Sequence, residues 1–109
     1  MDDFAVELVL LAADLVPPGR VASYGDLGRL AGVGPRQVGA IMRERGSEVA
    51  WWRIVNASGV LPAPLAARAA EHWDAEAIAH ADGRVPMRRH RVDAAQLAAA
   101  YWSASTDPR

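Results

Sequence analysis

The sequence predicts a mainly α-helical domain built around a helix-turn-helix, and three observations support this fold class. Two short segments with helix-capping residues, 23–32 and 35–46, are joined by a turn that contains glycine. Apolar residues recur at helical spacing near both ends of the chain. The 109 residues are enough for one hydrophobic core, so we expect a single domain spanning residues 1–109.

The first predicted helix spans residues 3–15. Its apolar residues near helical spacing are Phe4, Leu8, Leu11 and Leu15. We expect this side of the helix to face the core. The helix is predicted to end before Pro17-Pro18-Gly19, because proline lacks the backbone donor that a helix interior needs.

The two central helices carry capping signals at both ends. Ser23 has the character of an N-cap residue, and Asp26 stands three residues later, where a capping box places its acid. Gly32 is suited to closing this helix. Pro35 suits the first position of the next helix, which is predicted to end at Gly46. The spacing therefore predicts a helix-turn-helix.

The second helix of this pair has a small and basic outer face. The residues on that face are Arg36, Gly39, Ala40 and Arg43. A glycine inside a helix costs about 1 kcal/mol relative to alanine, so Gly39 requires a reason. Close approach of the helix backbone to another molecule is one reason, and packing against the preceding helix is another. The spacing alone leaves both open.

The second half of the chain is predicted from local patterns. Residues 49–56 indicate an extended strand, in which adjacent tryptophans would point to opposite faces, one buried and one exposed. A helix is expected around residues 65–73 and another over 93–105. Asp82-Gly83 favours the turn of a small β hairpin, which would be the wing of a winged helix-turn-helix.

Composition excludes several classes of protein. The chain has no cysteine, which rules out disulfides, thiolate metal sites and a sulfur nucleophile. His72, His80 and His90 lack the spacing of metal ligands, so we expect no metal site. No cofactor is expected either. No apolar run approaches the roughly 20 residues of a membrane span, and no secretory signal is apparent in the sequence. We expect a cytoplasmic protein with no membrane partner.

The charged residues are segregated along the chain although the net charge is only −1. Residues 15–60 carry six arginines against three acids, and residues 84–109 carry five arginines against two. The acidic excess lies in residues 1–14 and 61–83. A basic central segment that coincides with the predicted helix-turn-helix is typical of nucleic-acid binding.

Three segments resemble the DNA-binding domain of the O6-alkylguanine-DNA alkyltransferases. They read VASYGDLGRLAG, PRQVGAIM and VAWWRIVNASG, and with their surroundings they cover about residues 4–60. In that family the third segment normally contains Pro-Cys-His-Arg-Val, whose cysteine accepts the alkyl group and whose histidine activates it. Here Ala50, Trp51 and Trp52 stand at the first three positions. The resemblance therefore implies the alkyltransferase-like subfamily, whose members bind alkylated guanine in DNA without removing the alkyl group.

The resemblance also implies roles for individual residues. Tyr24 matches the tyrosine that presses on the phosphate beside the target nucleotide, and Arg36 matches the arginine that fills the gap left by the extruded base. Trp51 would line the pocket that receives the base. The DNA-binding residues implied in this way are Ser23, Tyr24, Arg36, Gly39, Ala40 and Arg43. The residues implied for the lesion pocket are Tyr24, Val49, Ala50, Trp51, Trp52 and Arg53.

The function that the resemblance implies is recognition of O6-alkylguanine in duplex DNA. The protein would bind in the minor groove and flip the base without catalysis. We expect it to act as a monomer that is associated with the nucleoid when it is bound to DNA, and to signal to nucleotide excision repair. Two alternatives remain: a winged-helix regulator that reads sequence in the major groove, and a protein-interaction module that has lost lesion recognition. For the site residues, the alternatives are that both tryptophans are core and that Arg43 and Arg53 are solvated charges.

Overall fold

The computed structural model describes residues 3–106, and most of this chain is helical. The α-helices are α1 (Asp3–Asp14), α2 (Tyr24–Ala31), α3 (Pro35–Arg45), α4 (Ala63–Ala75), α5 (Met87–His90) and α6 (Ala94–Ser105). Two strands, β1 (Ala22–Ser23) and β2 (Ile54–Val55), and two 3-10 turns, Gly46–Glu48 and Trp51–Arg53, complete the fold. The prediction of a mainly α-helical fold class is confirmed.

The helix-turn-helix forms as its capping residues predict. The Ser23 hydroxyl accepts from the Asp26 amide at 3.1 Å, and the Asp26 carboxylate accepts from the Ser23 amide at 2.9 Å. Gly32 ends α2 with a φ of 76°, a left-handed conformation that favours glycine. Pro35 opens α3, which continues from Arg45 into a 3-10 turn.

The buried face of α1 differs from the predicted one. The buried residues are Val6, Val9, Leu10, Ala12 and Ala13. The predicted face is rotated away from the core centre: Phe4 is 69% exposed, and Leu8, Leu11 and Leu15 are only half-buried. Ala12 and Ala13 on the buried face are small and let α1 pack closely on α2 and α3, whereas Leu8, Leu11 and Leu15 pack at the edge of the same cluster.

The two strands form a short parallel sheet that positions the remainder of the site. Ala22 pairs with Ile54, and Ser23 pairs with Val55. All four residues are buried. The sheet therefore fixes the Trp51–Arg53 turn, which precedes β2, beside the start of α2.

The predicted strand over residues 49–56 is wrong for its first half. Residues Trp51–Arg53 form a 3-10 turn, and only Ile54–Val55 are extended. Both tryptophans are half-buried, because both indole rings pack against His72 of α4. A strand would have sent one of them to the opposite face.

The predicted hairpin at Asp82-Gly83 is reduced to its turn. Ala81 and Arg84 exchange two backbone hydrogen bonds of 3.0 Å around Asp82 and Gly83, whose φ angles of 54° and 74° are both positive. No strands continue from this bridge within residues 3–106, because the flanking residues have other partners. Val85 donates to the Gly59 carbonyl, and the Ala79 amide donates to His90 Nε2.

The core consists of two neighbouring clusters. One is formed by α1, α2, α3 and α6. In α6, which forms the predicted C-terminal helix, Leu97 and Tyr101 are buried and Trp102 is 55% exposed. The other lies beneath α4 around Trp73 and Ile78. Within residues 3–106 no helix is long and apolar enough to span a bilayer. No group of three or more candidate metal ligands occurs in the same range.

Candidate nucleic-acid interface and base pocket

A cavity of about 350 Å³ opens between the start of α2, the outer face of α3 and the chain that leads into α4. Its lining residues are Tyr24, Gly39, Met42, Arg43, Trp51, Ile54, Asn56, Val60, Leu61, Pro62 and Leu65. Most of these side chains are apolar, and the volume falls in the range of small-molecule sites. The cavity is therefore large enough and of suitable polarity to accept a planar organic group.

Tyr24 stands at the rim of this cavity as the first residue of α2. The capping box of Ser23 and Asp26 fixes the backbone immediately before it. Burial raises the pKa of the Tyr24 hydroxyl, and the nearby Arg43 charge opposes this rise only partly. The phenol consequently remains neutral and keeps its proton as a hydrogen-bond donor.

The outer face of α3 lies beside Tyr24 and is small in its middle. Gly39 and Ala40 are half-buried, whereas Arg36 and Arg43 are exposed. A Cβ atom added at Gly39 would meet the Tyr24 ring at 3.8 Å, an ordinary contact distance. Packing against α2 therefore does not require glycine at this position, and close approach of another molecule is the remaining reason that the sequence suggested.

The adjacent tryptophans have different surroundings. Trp51 lines the cavity, and Trp52 does not. Trp52 stacks on His72 of α4 with ring centroids 3.8 Å apart and donates from Nε1 to Glu76 at 2.9 Å. Trp51 meets the rings of Trp52 and His72 edge-on, at 5.8 and 5.7 Å. Trp52 and His72 thus pack against the indole of Trp51, which lines the cavity.

Glu76 connects the Trp51–Arg53 turn to the rest of the protein through hydrogen bonds. Its carboxylate accepts from Arg53 Nη2 at 2.6 Å and from the Gly19 amide at 3.0 Å, in addition to Trp52. Arg53 also donates to the Val16 carbonyl at 3.1 Å. Burial raises the pKa of Glu76, but the hydrogen bonds from Arg53, Gly19 and Trp52 outweigh it and lower the pKa. Arg53 is therefore engaged within the fold.

The structure brings together only some of the residues that the sequence grouped. Tyr24, Gly39, Arg43 and Trp51 meet around the cavity. The residues of the predicted pocket that do not line it are Val49, Ala50, Trp52 and Arg53. Of the residues predicted to bind DNA, Ser23 is buried in the capping box, Arg36 is exposed at the start of α3, and Ala40 is half-buried.

Several lining residues were missed by the sequence reasoning. They are Met42, Ile54, Asn56, Val60, Leu61, Pro62 and Leu65. Met42 packs partly against the core from α3 and also borders the cavity. His72 in the last turn of α4 and Glu76 directly after the helix both contact Trp52, and their spacing of four residues was the sequence signal for this.

Comparisons with known proteins give consistent findings. The sequence model of the family described as "6-O-methylguanine DNA methyltransferase, DNA binding domain" matches residues 5–78. A "DNA base-flipping protein" of Escherichia coli (strain K12) is 34% identical over 83 residues, and a protein of the same name from Shigella flexneri matches equally. The match covers 70% of this chain and 64% of each relative, so the chain spans less than two thirds of their length.

A solved structure shares the fold. It is S. pombe Atl1, whose crystal structure was determined in complex with damaged DNA containing O6-carboxymethylguanine. The two superpose with a TM-score of 0.76, covering 85% of this chain and 98% of the other, at 21% sequence identity.

Proposed function

Because the chain belongs to the family of the 6-O-methylguanine DNA methyltransferase DNA-binding domain, we propose that it binds duplex DNA and flips an alkylated guanine out of the helix. The observation that carries this proposal is the apolar cavity, which opens beside Tyr24 and the exposed face of α3. A site that receives a flipped base must combine an accessible pocket with a surface that approaches the DNA closely. The base-flipping relatives and the damaged-DNA complex of the structural neighbour support it.

The outer face of α3 enters the minor groove in this proposal. Gly39 and Ala40 leave its middle free of bulk, so that the helix backbone can approach the DNA. Tyr24 presses on the phosphate beside the target nucleotide. Arg36 replaces the extruded base in the stack, because a planar guanidinium can both stack and donate hydrogen bonds. Its exposure at the first turn of α3 leaves it accessible for this role.

The cavity recognises the flipped base mainly through apolar contact. Trp51, Met42 and Leu65 offer apolar surface to the purine and its alkyl group. One contact between a base and an aromatic ring contributes roughly 1–3 kcal/mol, which offsets part of the few kcal/mol that unstacking costs. An alkylated guanine pairs weakly and is therefore easier to extrude than a normal one.

In the proposed function, the protein does not transfer the alkyl group to one of its own residues. Trp51 occupies the position of the acceptor cysteine, and the chain has no cysteine elsewhere. At neutral pH an indole does not act as a nucleophile that accepts an alkyl group, and it does not act as a general base. A monomer bound at the lesion would therefore mark it for removal by other proteins, and we propose nucleotide excision repair as the pathway that follows.

Titration of two matched duplexes, one containing a single O6-methylguanine, tests this function. We expect tighter binding to the modified duplex, and no label on the protein after incubation with alkyl-labelled DNA. Equal affinity for the two duplexes would contradict lesion recognition, and stoichiometric labelling would contradict the non-catalytic role. Absence of salt-dependent DNA binding would instead support a protein-interaction module.

A further inference from the structure

A buried carboxylate two residues after Tyr24 holds two arginines from different parts of the chain. The side chain of Asp26 is only 6% exposed. Arg91, which follows α5, donates to it from both Nε and Nη2, and Arg29 donates from Nη2 at 3.3 Å. Both arginines remain accessible, with side chains 48% and 70% exposed. The cluster therefore presents a surplus of one positive charge at the surface.

The two arginines border a groove that adjoins the base cavity. The groove, of about 330 Å³, runs between the start of α2, Pro35 and the Asn56-Ala57 turn, with Arg29 and Arg91 on its wall. Tyr24 and Asn56 line both the groove and the cavity. The groove therefore continues directly from the cavity past Tyr24 and Asn56.

We propose that Arg29 and Arg91 form a clamp, oriented by Asp26, for a phosphodiester group of the DNA strand that carries the flipped nucleotide. The inference rests on the proposed function and adds a binding site to it. The strand must pass the shared rim at Tyr24 on its way back to the duplex, and its phosphates are the anions available there. Guanidinium groups donate to phosphate oxygens in a fixed planar geometry. Each arginine keeps donors that Asp26 does not use.

Preorganisation distinguishes Arg91 from a flexible surface arginine. Asp26 holds Arg91 in a two-point interaction, so part of the side-chain entropy that phosphate binding costs is already lost in the free protein. Arg45 is also held through Nε and Nη2, by Glu48, but the charge around it is different. It contacts the carboxylates of Glu7 and Glu48, which leaves a surplus of one negative charge around it.

The salt dependence of DNA binding tests the clamp. Arg29→Gln should flatten the slope of log K against log salt by about 0.9, the value for one lost phosphate contact, and should weaken binding to undamaged and O6-methylguanine duplexes by the same factor. Arg91→Gln should have the same effect on both duplexes, with thermal melting recorded because Asp26 loses a partner. The matched control Arg45→Gln should leave the slope unchanged.

The outcomes separate the clamp from the proposed function. Unchanged slopes in both Arg29→Gln and Arg91→Gln, with lesion preference retained, would overturn the clamp alone. Equal flattening in Arg45→Gln would also overturn it, because any arginine would then have the same effect. A loss confined to the modified duplex would show that the arginines contact the base and would contradict a phosphate contact. A wild-type protein without DNA affinity would overturn the proposed function and the clamp together.

Discussion

At the scale of single residues, Trp51 and Trp52 are expected to respond differently to the same substitution. Trp51→Ala removes one wall of the cavity and should erase most of the preference for O6-alkylguanine, roughly 1–3 kcal/mol. Affinity for the undamaged duplex should change little, because it depends on phosphate contacts outside the cavity. Paired titrations of the two duplexes measure both quantities.

Trp52→Ala is the matched comparison. It removes the stack on His72 and the hydrogen bond to Glu76, so it should lower the free energy of unfolding by about 2 kcal/mol, less than a fully buried tryptophan would cost. Urea denaturation of both variants decides between the roles. If Trp51→Ala were the less stable variant and bound neither duplex, the assignment of the two tryptophans would be reversed.

Arg36 and Arg43 should also differ although both are exposed on α3. Arg36→Ala removes the side chain proposed to fill the gap in the base stack, so lesion binding should fall about tenfold or more. Arg43→Ala removes a cation at the cavity rim, whose attraction to phosphate is screened by salt, and should have a smaller effect. Affinities measured at the same salt concentration test this order. Equal losses would make Arg36 an ordinary phosphate contact.

At the scale of the element, Gly39 gives α3 a stability cost that the proposed close approach to DNA would explain. Gly39→Ala should stabilise the protein by up to about 1 kcal/mol, because alanine favours the helix and its Cβ meets only the Tyr24 ring at 3.8 Å. The same methyl group should weaken DNA binding by holding the helix away from the groove. Thermal melting and a DNA titration together test this opposition. A variant that is more stable and binds equally well would contradict close approach at Gly39.

Elements defined by local signals were predictable, and those defined by distant partners were not. The capping residues Ser23 and Gly32 act on their own helix, so the sequence alone located α2. The Trp51–Arg53 turn depends instead on His72 and Glu76, about twenty residues away, and the local pattern indicated a strand. The rotation of α1 likewise depends on the helices packed against it.

The candidate site divides in the same way. Tyr24, Gly39 and Trp51 were identified because the resemblance extends over the segments that contain them. Asn56 and Leu65 line the same cavity, but the turn after β2 and the start of α4 bring them there. No spacing or periodicity links these two residues to Tyr24. Only the folded chain shows that they share a cavity.

At the scale of the whole molecule, two carboxylates connect segments that are distant in sequence. Asp26 joins α2 to Arg91, and Glu76 joins the end of α4 to Gly19 and Arg53. Burial raises the pKa of Asp26, but its hydrogen bonds with Arg91 and Ser23 outweigh this, and its pKa is lowered, as is that of Glu76. Both groups therefore bind fewer protons in the folded state than in the unfolded state.

The protein should consequently lose stability in acid. A lowered pKa in the folded state stabilises the protein above the ordinary values of 3.8 for Asp26 and 4.5 for Glu76. That contribution disappears as the pH falls through the lowered values. Urea denaturation from about pH 6 down to about pH 3 should therefore show a falling free energy of unfolding.

Glu76→Gln should isolate one part of this dependence. The variant leaves Arg53 without its anionic partner, so its free energy of unfolding should fall by about 3 kcal/mol near neutral pH. That free energy should then decrease less steeply in acid than it does in the wild type.

The matched control is Glu48→Gln. The hydrogen bond with Arg45 outweighs partial desolvation and lowers the pKa of Glu48. This pair, however, is exposed and screened by salt. At high salt the control should follow the wild type closely. If Glu76→Gln instead retained the full acid dependence, Glu76 would have the same affinity for protons in the folded and unfolded chain, and the loss of stability would have to arise from other carboxylates.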